Sequence, residues 1–178
     1  HTLPQTWLSQ LRQDWPQHWE SIVQACQEEP PMWLRVNRRQ CQRGDYLEQL
    51  NTAGMSAQAG APDDAIVLEQ ACSVEQLPGF AQGLVAIQDG AAQWAVDALD
   101  LQPGLRVLDA CAAPGGKTCH ILERQPDLAL VMAVDRDPQR VARIHQNLQR
   151  LQLEGPNVSV LCADASQPAE WAPAAGFD

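Results

Sequence analysis

Residues 105–118, LRVLDACAAPGGKT, constrain the fold of this chain more than any other segment. Leu105–Leu108 has the length and apolar character of a buried parallel strand, with Val107 and Leu108 needing cover on both faces. Asp109 follows, and then a turn built almost entirely from small residues. Ala112, Ala113, Gly115 and Gly116 leave the backbone open to close approach by a ligand. A helix starting near Lys117 would aim its free N–H groups and positive dipole end at the same place. Strand, small-residue turn and helix together make a nucleotide-binding corner.

Three nucleotide classes compete for that corner. A phosphate-cradling loop requires Gly-x-x-x-x-Gly-Lys-Thr, and Gly116-Lys117-Thr118 supplies only its tail. The first glycine would fall on Cys111, and Pro114 removes an amide donor, so this class is excluded. A dinucleotide fingerprint requires Gly-x-Gly-x-x-Gly, and the adjacent pair Gly115-Gly116 supports it weakly. The third class, an adenosine bearing a sulfonium and an amino-acid tail, has no pyrophosphate. It needs close backbone approach and carboxylates more than a full glycine pattern.

Downstream acids favour the third class. Leu128–Val134 is a second apolar run that ends in Asp135, about twenty residues past the glycines, where an acid commonly takes ribose hydroxyls. Val141, Ile144, Leu148 and Leu151 give Arg140–Leu151 a helical period. Val158–Cys162 is a third apolar run, followed by Asp164. Asp109, Asp135 and Asp164 would then line one crevice at the carboxyl edge of a parallel sheet, although each also suits a helix N-cap.

DACAAPGGKT, AVDRDPQRVARIHQNLQRL and VLCADA resemble the cofactor-site motifs of the RNA cytosine-5 methyltransferases of the Nol1/Nop2/Sun group. The nearest resemblance is to the bacterial Sun/Fmu type acting on 16S ribosomal RNA. PPMWLRVNRR at 30–39 and the segment 77–93 resemble that family's upstream regions, so the likeness covers roughly residues 20–178. It implies an α/β, Rossmann-like methyltransferase fold using S-adenosylmethionine. The cofactor tail is expected to be wrapped by Cys111, Ala112, Ala113, Pro114, Gly115, Gly116 and Lys117. Asp135 is expected at the ribose and Asp164 at the adenine end. Cytosine C5 is a poor nucleophile, and the family answers with a cysteine thiolate that attacks C6. The Pro-Cys-Ser and Thr-Cys-Ser segments that carry the family's cysteines do not occur here. No catalytic residue is therefore expected in this chain, and by itself it is expected to be inactive. A parallel sheet of three strands would leave a long apolar edge, so a further strand is expected beyond Asp178, with the catalytic residues there.

Composition bounds the rest. The 178 residues, 45% hydrophobic, suffice for one ordinary domain or two small ones. No apolar run reaches membrane-spanning length, and no signal peptide is visible at the start. Six cysteines and four histidines show no metal spacing, which suggests free thiols in a reducing cytoplasm and no metal site. Cys162 is expected to be buried in its strand. Cys119 is expected where a helix dipole could lower its pKa. A net charge of −10 sits poorly with nucleic-acid binding. Arg35, Arg38 and Arg39, with Trp33 beside them to stack on a base, are the best RNA contacts the chain offers. The bland alternative is a solvated basic edge with a core tryptophan.

The organisation expected is a lead-in and a small α+β, RNA-recognition-like subdomain over 1–83, then the methyltransferase half over 84–178. Leu8, Leu11, Trp15, Trp19, Ile22 and Val23 indicate two short amphipathic helices hinged at Pro16. Met32–Asn37 and Ala65–Ala71 read as strands, and Tyr46–Thr52 as a helix stopped by Gly54. Gly54–Asp64 reads as a flexible loop, and Leu84–Ile87 with helix Ala91–Leu99 as a bridge into the nucleotide fold. Asp89 would cap that helix, or take a role in the site. A monomer is expected. Other acceptors, an NAD-dependent oxidoreductase and a non-enzymatic RNA-binding module are the alternatives, because a cofactor corner does not choose the acceptor.

Overall fold

The computed structural model describes residues 3–178. The chain divides into two compact units, with the boundary after Pro31. The first contains α1 (Gln5–Asp14) and α2 (Trp19–Ala25), separated at Pro16 as the proline's missing N–H demands. Leu8 and Val23 are buried, Trp7 and Trp15 are exposed, and the Arg12 guanidinium lies 4.3 Å from the centre of the Trp19 ring.

The second unit, Met32–Asp178, carries two sheets. The first is antiparallel, in the order β2-β3-β1-β4, formed by β1 (Met32–Val36), β2 (Ala57–Ala59), β3 (Ala65–Leu68) and β4 (Val85–Ile87). Helix α3 (Arg43–Thr52) packs on it, and Leu34, Val36, Tyr46, Leu50, Ile66 and Val85 form its core. Two segments differ from the sequence reading. Gly54–Asp64 is not simply a loop, because Ala57, Gln58 and Ala59 pair with Leu68, Val67 and Ile66. Small side chains concealed a short edge strand that has almost no hydrophobic period. The stretch 84–87 is not a bridge either. It is β4, paired antiparallel with β1 through Leu34, Arg35 and Val36.

The second sheet is parallel, in the order β5-β6-β7: β5 (Arg106–Ala110), β6 (Leu130–Asp135) and β7 (Val158–Cys162). Helix α4 (Gly90–Asp97) leads into it, and its N-cap Asp89 accepts from the Ala91 N–H at 2.8 Å. Helices α5 (Gly116–Arg124) and α6 (Pro138–Arg150) make the two crossovers that parallel pairing requires. The central strand β6 is buried almost throughout, and Ile121, Leu122, Val131, Ala133, Ile144 and Leu148 form the core against it. Gly176–Asp178 lie along the free side of β5. The Asp178 N–H donates to the Arg106 carbonyl at 3.0 Å, and the Arg106 N–H to the Asp178 carboxylate at 2.8 Å. This is the Rossmann-like arrangement expected, with its strand ends turned toward the small-residue turn.

Candidate cofactor site

The turn begins where β5 ends. Cys111 takes a left-handed conformation (φ 60°) and the Ala113–Pro114 bond is cis. Gly115 (φ 96°) then occupies the cap of α5. A Cβ at Gly115 would stand 3.2–3.3 Å from Ile144, so glycine serves here both the backbone angle and the packing of α6. The Ala112 N–H donates to the Val134 carbonyl at 3.0 Å, which fastens the turn to the end of β6. Ala112 and Ala113 are buried, whereas Cys111, Pro114 and Lys117 are exposed.

Three acids were expected at this crevice, and the structure gives them different environments. Asp109 is half-buried and engaged within the fold. Its carboxylate accepts from the Thr118 hydroxyl at 2.5 Å and so ties β5 to the first turn of α5. Burial raises its pKa, only partly offset by Thr118 and Lys117. Asp135 accepts from the Ala113 N–H at 3.1 Å and the Asp137 N–H at 3.2 Å, and Arg140 lies 3.4 Å away. Its side chain is almost completely withdrawn from water, beside this half-exposed arginine. Desolvation would push its pKa up, but the two backbone donors and Arg140 outweigh it and hold the carboxyl below the usual range. Asp164 is exposed and accepts from the Ser166 N–H and hydroxyl at 2.9 and 2.7 Å, which also lowers its pKa. Cys111, Asp135, Arg140, Asp164 and Ser166 line one cleft of about 340 Å³. Pro114, Gly115 and Gly116 line a neighbouring hollow of about 150 Å³ with Arg35 and Asn147.

Several expectations fail for clear physical reasons. Arg35 cannot contact RNA. It is fully buried, its Nε and Nη2 donating to Glu123 at 2.7 and 2.8 Å, and its Nη1 to Gln88 at 2.5 Å and to the Gly116 carbonyl at 2.8 Å. Trp33 is half-buried and packed along one edge of its ring rather than presented as a free surface for a base. Its ring is wedged so tightly that a Cβ on either Gly60 or Gly90 would come within 2.7 Å of it. Arg38, 3.9 Å from Asp64, and Arg39 remain at the surface. Cys119 gains nothing from the helix dipole, since burial pushes its pKa up to about 12. Cys162, the last residue of edge strand β7, is exposed rather than buried.

Sequence reading missed the buried Arg35–Glu123 pair, Gln88 and Arg140. A charge inside the apolar strand MWLRV was the available signal for the first. It also missed His120, whose ring nitrogens have no hydrogen-bonding partner among the described residues. Burial, then Arg35, Arg124 and Arg38, push its pKa down to about 2, so the ring is neutral.

A family model described as the ferredoxin-like domain of RsmF/B-like methyltransferases matches residues 3–75. A second, described as 16S rRNA methyltransferase RsmB/F, matches residues 96–178 and so contains the turn, Asp135 and Asp164. The chain belongs to the RsmB/F methyltransferase family. It is 52% identical over 167 residues to the ribosomal RNA small subunit methyltransferase B of Pseudomonas syringae pv. tomato, covering 93% of this chain and 37% of that protein. The protein of the same name from Serratia proteamaculans is 48% identical over 176 residues, covering 98% of this chain and 40% of its own length. The chain thus spans about two-fifths of these relatives. A methyltransferase homolog from Pyrococcus horikoshii superposes with a TM-score of 0.77 at 27% identity, covering 94% of this chain and 59% of that one. NSun6 from the same organism, crystallised with SFG, superposes at 0.81 with 14% identity over 94% of this chain and 67% of its own, and shares the fold. The cofactor of this RsmB/F family is S-adenosylmethionine. Among the described residues no helix is long and apolar enough to cross a membrane, and no group of three His, Cys, Asp or Glu could hold a metal.

Proposed function

We propose that this RsmB/F chain carries the S-adenosylmethionine-binding part of an enzyme that methylates C5 of a cytosine in 16S ribosomal RNA. The observation that carries the reading is the cleft in which the exposed turn at Cys111 meets Asp135 and Asp164 at successive strand ends. Cys111–Lys117 hold the amino-acid tail, where backbone can approach closely and the α5 N-terminus favours a carboxylate. Asp164, ionised and exposed, is an acceptor for the adenine end. Asp135 takes a ribose hydroxyl. A carboxylate offers about four acceptor sites. Ala113, Asp137 and Arg140 engage it from three directions, so the hydroxyl takes the remaining site or displaces the half-exposed Arg140.

The fit supports methyl donation from a held cofactor, and the absence from the sequence of the family's Pro-Cys-Ser and Thr-Cys-Ser segments argues against transfer by this chain alone. An attacking cysteine must be a thiolate. Cys119 is buried with its thiol locked neutral, and Cys111 belongs to the cofactor turn. Arg38 and Arg39, exposed just after β1, remain as the RNA contacts. Two measurements on the 178-residue chain test the reading. Calorimetry should show heat of binding with S-adenosylhomocysteine, and labelled S-adenosylmethionine should transfer no methyl to 16S ribosomal RNA. Absence of binding would remove the cofactor assignment, and transfer would remove the claim about the cysteines.

A further inference from the structure

Arg35 stands on the antiparallel sheet, yet every partner of its guanidinium other than Gln88 lies on α5, the helix that opens at the cofactor turn. We propose that Arg35 is a positioning residue for the cofactor turn, making the antiparallel sheet a structural part of the cofactor site. The inference rests on the reading that this turn holds S-adenosylmethionine.

Gly116 and Glu123 are seven residues apart, two helical turns, and so lie on the same face of α5. Helical side chains tilt toward the N-terminus, which carries the Glu123 carboxylate back toward the level of Gly116. One planar guanidinium therefore grips the helix at both places. Its Nε–Nη2 edge binds Glu123 in two-pronged fashion, and its Nη1 reaches the Gly116 carbonyl at 2.8 Å. Gln88, at the end of β4, takes the other Nη1 hydrogen and fixes the guanidinium plane. Four of the five donors are used. Stability alone is a poor reason for this arrangement, because a buried ion pair can often be replaced by apolar residues at no loss. What an apolar pair cannot do is hold the carbonyl of Gly116, the residue that follows the left-handed Gly115.

The same helix supplies an internal comparison. Arg124 also crosses from α5 to neighbouring segments, at 2.7 Å from Asp97 and 3.1 Å from Asp64, but it touches nothing in the turn. The test uses the full 178-residue chain and two variants: Arg35→Met combined with Glu123→Leu, which removes the pair without stranding a charge, and Arg124→Met. S-adenosylhomocysteine affinity is measured by calorimetry, and backbone amide exchange over 115–119 without ligand, both at a temperature where each variant is folded. The paired variant should bind about tenfold or more weakly, as small misplacement of a site permits, and its turn amides should exchange faster. Arg124→Met should keep both within twofold of the unmodified chain. Should the paired variant not fold, Arg35→Lys takes its place, since an ammonium keeps the charge but cannot span Glu123 and Gly116 together. Unchanged affinity and exchange in the paired variant, or equal losses in Arg124→Met, would overturn the proposal. An unmodified chain that binds no S-adenosylhomocysteine sinks the cofactor reading instead, while the exchange comparison still decides whether Arg35 holds the turn.

Discussion

The cofactor turn has two flanks built on opposite terms. On one, Arg35, Glu123 and Gln88 are withdrawn from water and satisfy one another. On the other, Arg140 is half-exposed over Asp135 and Asp164 stands in solvent. The closed flank anchors and the open flank presents. A turn of small residues cannot support itself by packing, so rigidity must come from one side if the other is to receive a ligand.

The largest effect should come from breaking the closed flank alone. Arg35→Met leaves Glu123 buried without its partner, and Glu123 already has a pKa raised by burial. A stability loss of about 3–5 kcal/mol is expected in denaturant unfolding. A loss below about 1 kcal/mol would mean that water reaches Glu123 and the flank is not closed. Gly115→Ala comes next. The φ of 96° and the contacts with Ile144 predict a loss of about 1–3 kcal/mol, together with loss of S-adenosylhomocysteine binding. Unimpaired binding would show that the turn tolerates a shift and is not preorganised.

The open flank should respond to acid rather than to packing. The Asp135 pKa is lowered on folding, so its stabilising contribution is present above the ordinary value of 3.8 and is lost as pH falls through the lowered one. Asp135→Asn should flatten that part of the acid limb in a pH series of melting temperatures, and an unaltered limb would remove the assigned hydrogen bonds. Smallest of all, Asp164→Ala should lower the melting temperature only slightly, through the lost bonds to Ser166, while weakening S-adenosylhomocysteine binding. A large drop in melting point with intact binding would make Asp164 an element of the fold and not of the site.

The difference between the flanks also explains what the sequence revealed. The parallel strands and their crossover helices were legible because periodicity and small-residue turns are local signals. That Asp135 and Asp164 stand by successive strand ends at one cleft followed from the apolar runs that lead into them. Arg35 was misjudged because a basic cluster reads as surface, whereas its fate depends on Glu123, 88 residues later. Trp33 failed similarly, for its cover comes from Gly60 and Gly90, which carry no side chain to announce a contact. Asp109 looked like its two neighbours until Thr118 claimed it. Strand β2 was hidden because three residues, Ala57-Gln58-Ala59, carry neither a hydrophobic period nor apolar bulk.

Cys111 offers the most direct test of where the cofactor lies. It is exposed at the mouth of the cleft, and Cys26, exposed on the helical lead-in, serves as an internal standard. Alkylation of each thiol is followed by mass spectrometry with and without saturating S-adenosylhomocysteine. Cys111 should be protected several-fold while Cys26 reacts at an unchanged rate. Equal reactivity of Cys111 in both conditions, with binding confirmed by calorimetry, would place the cofactor elsewhere and contradict this assignment.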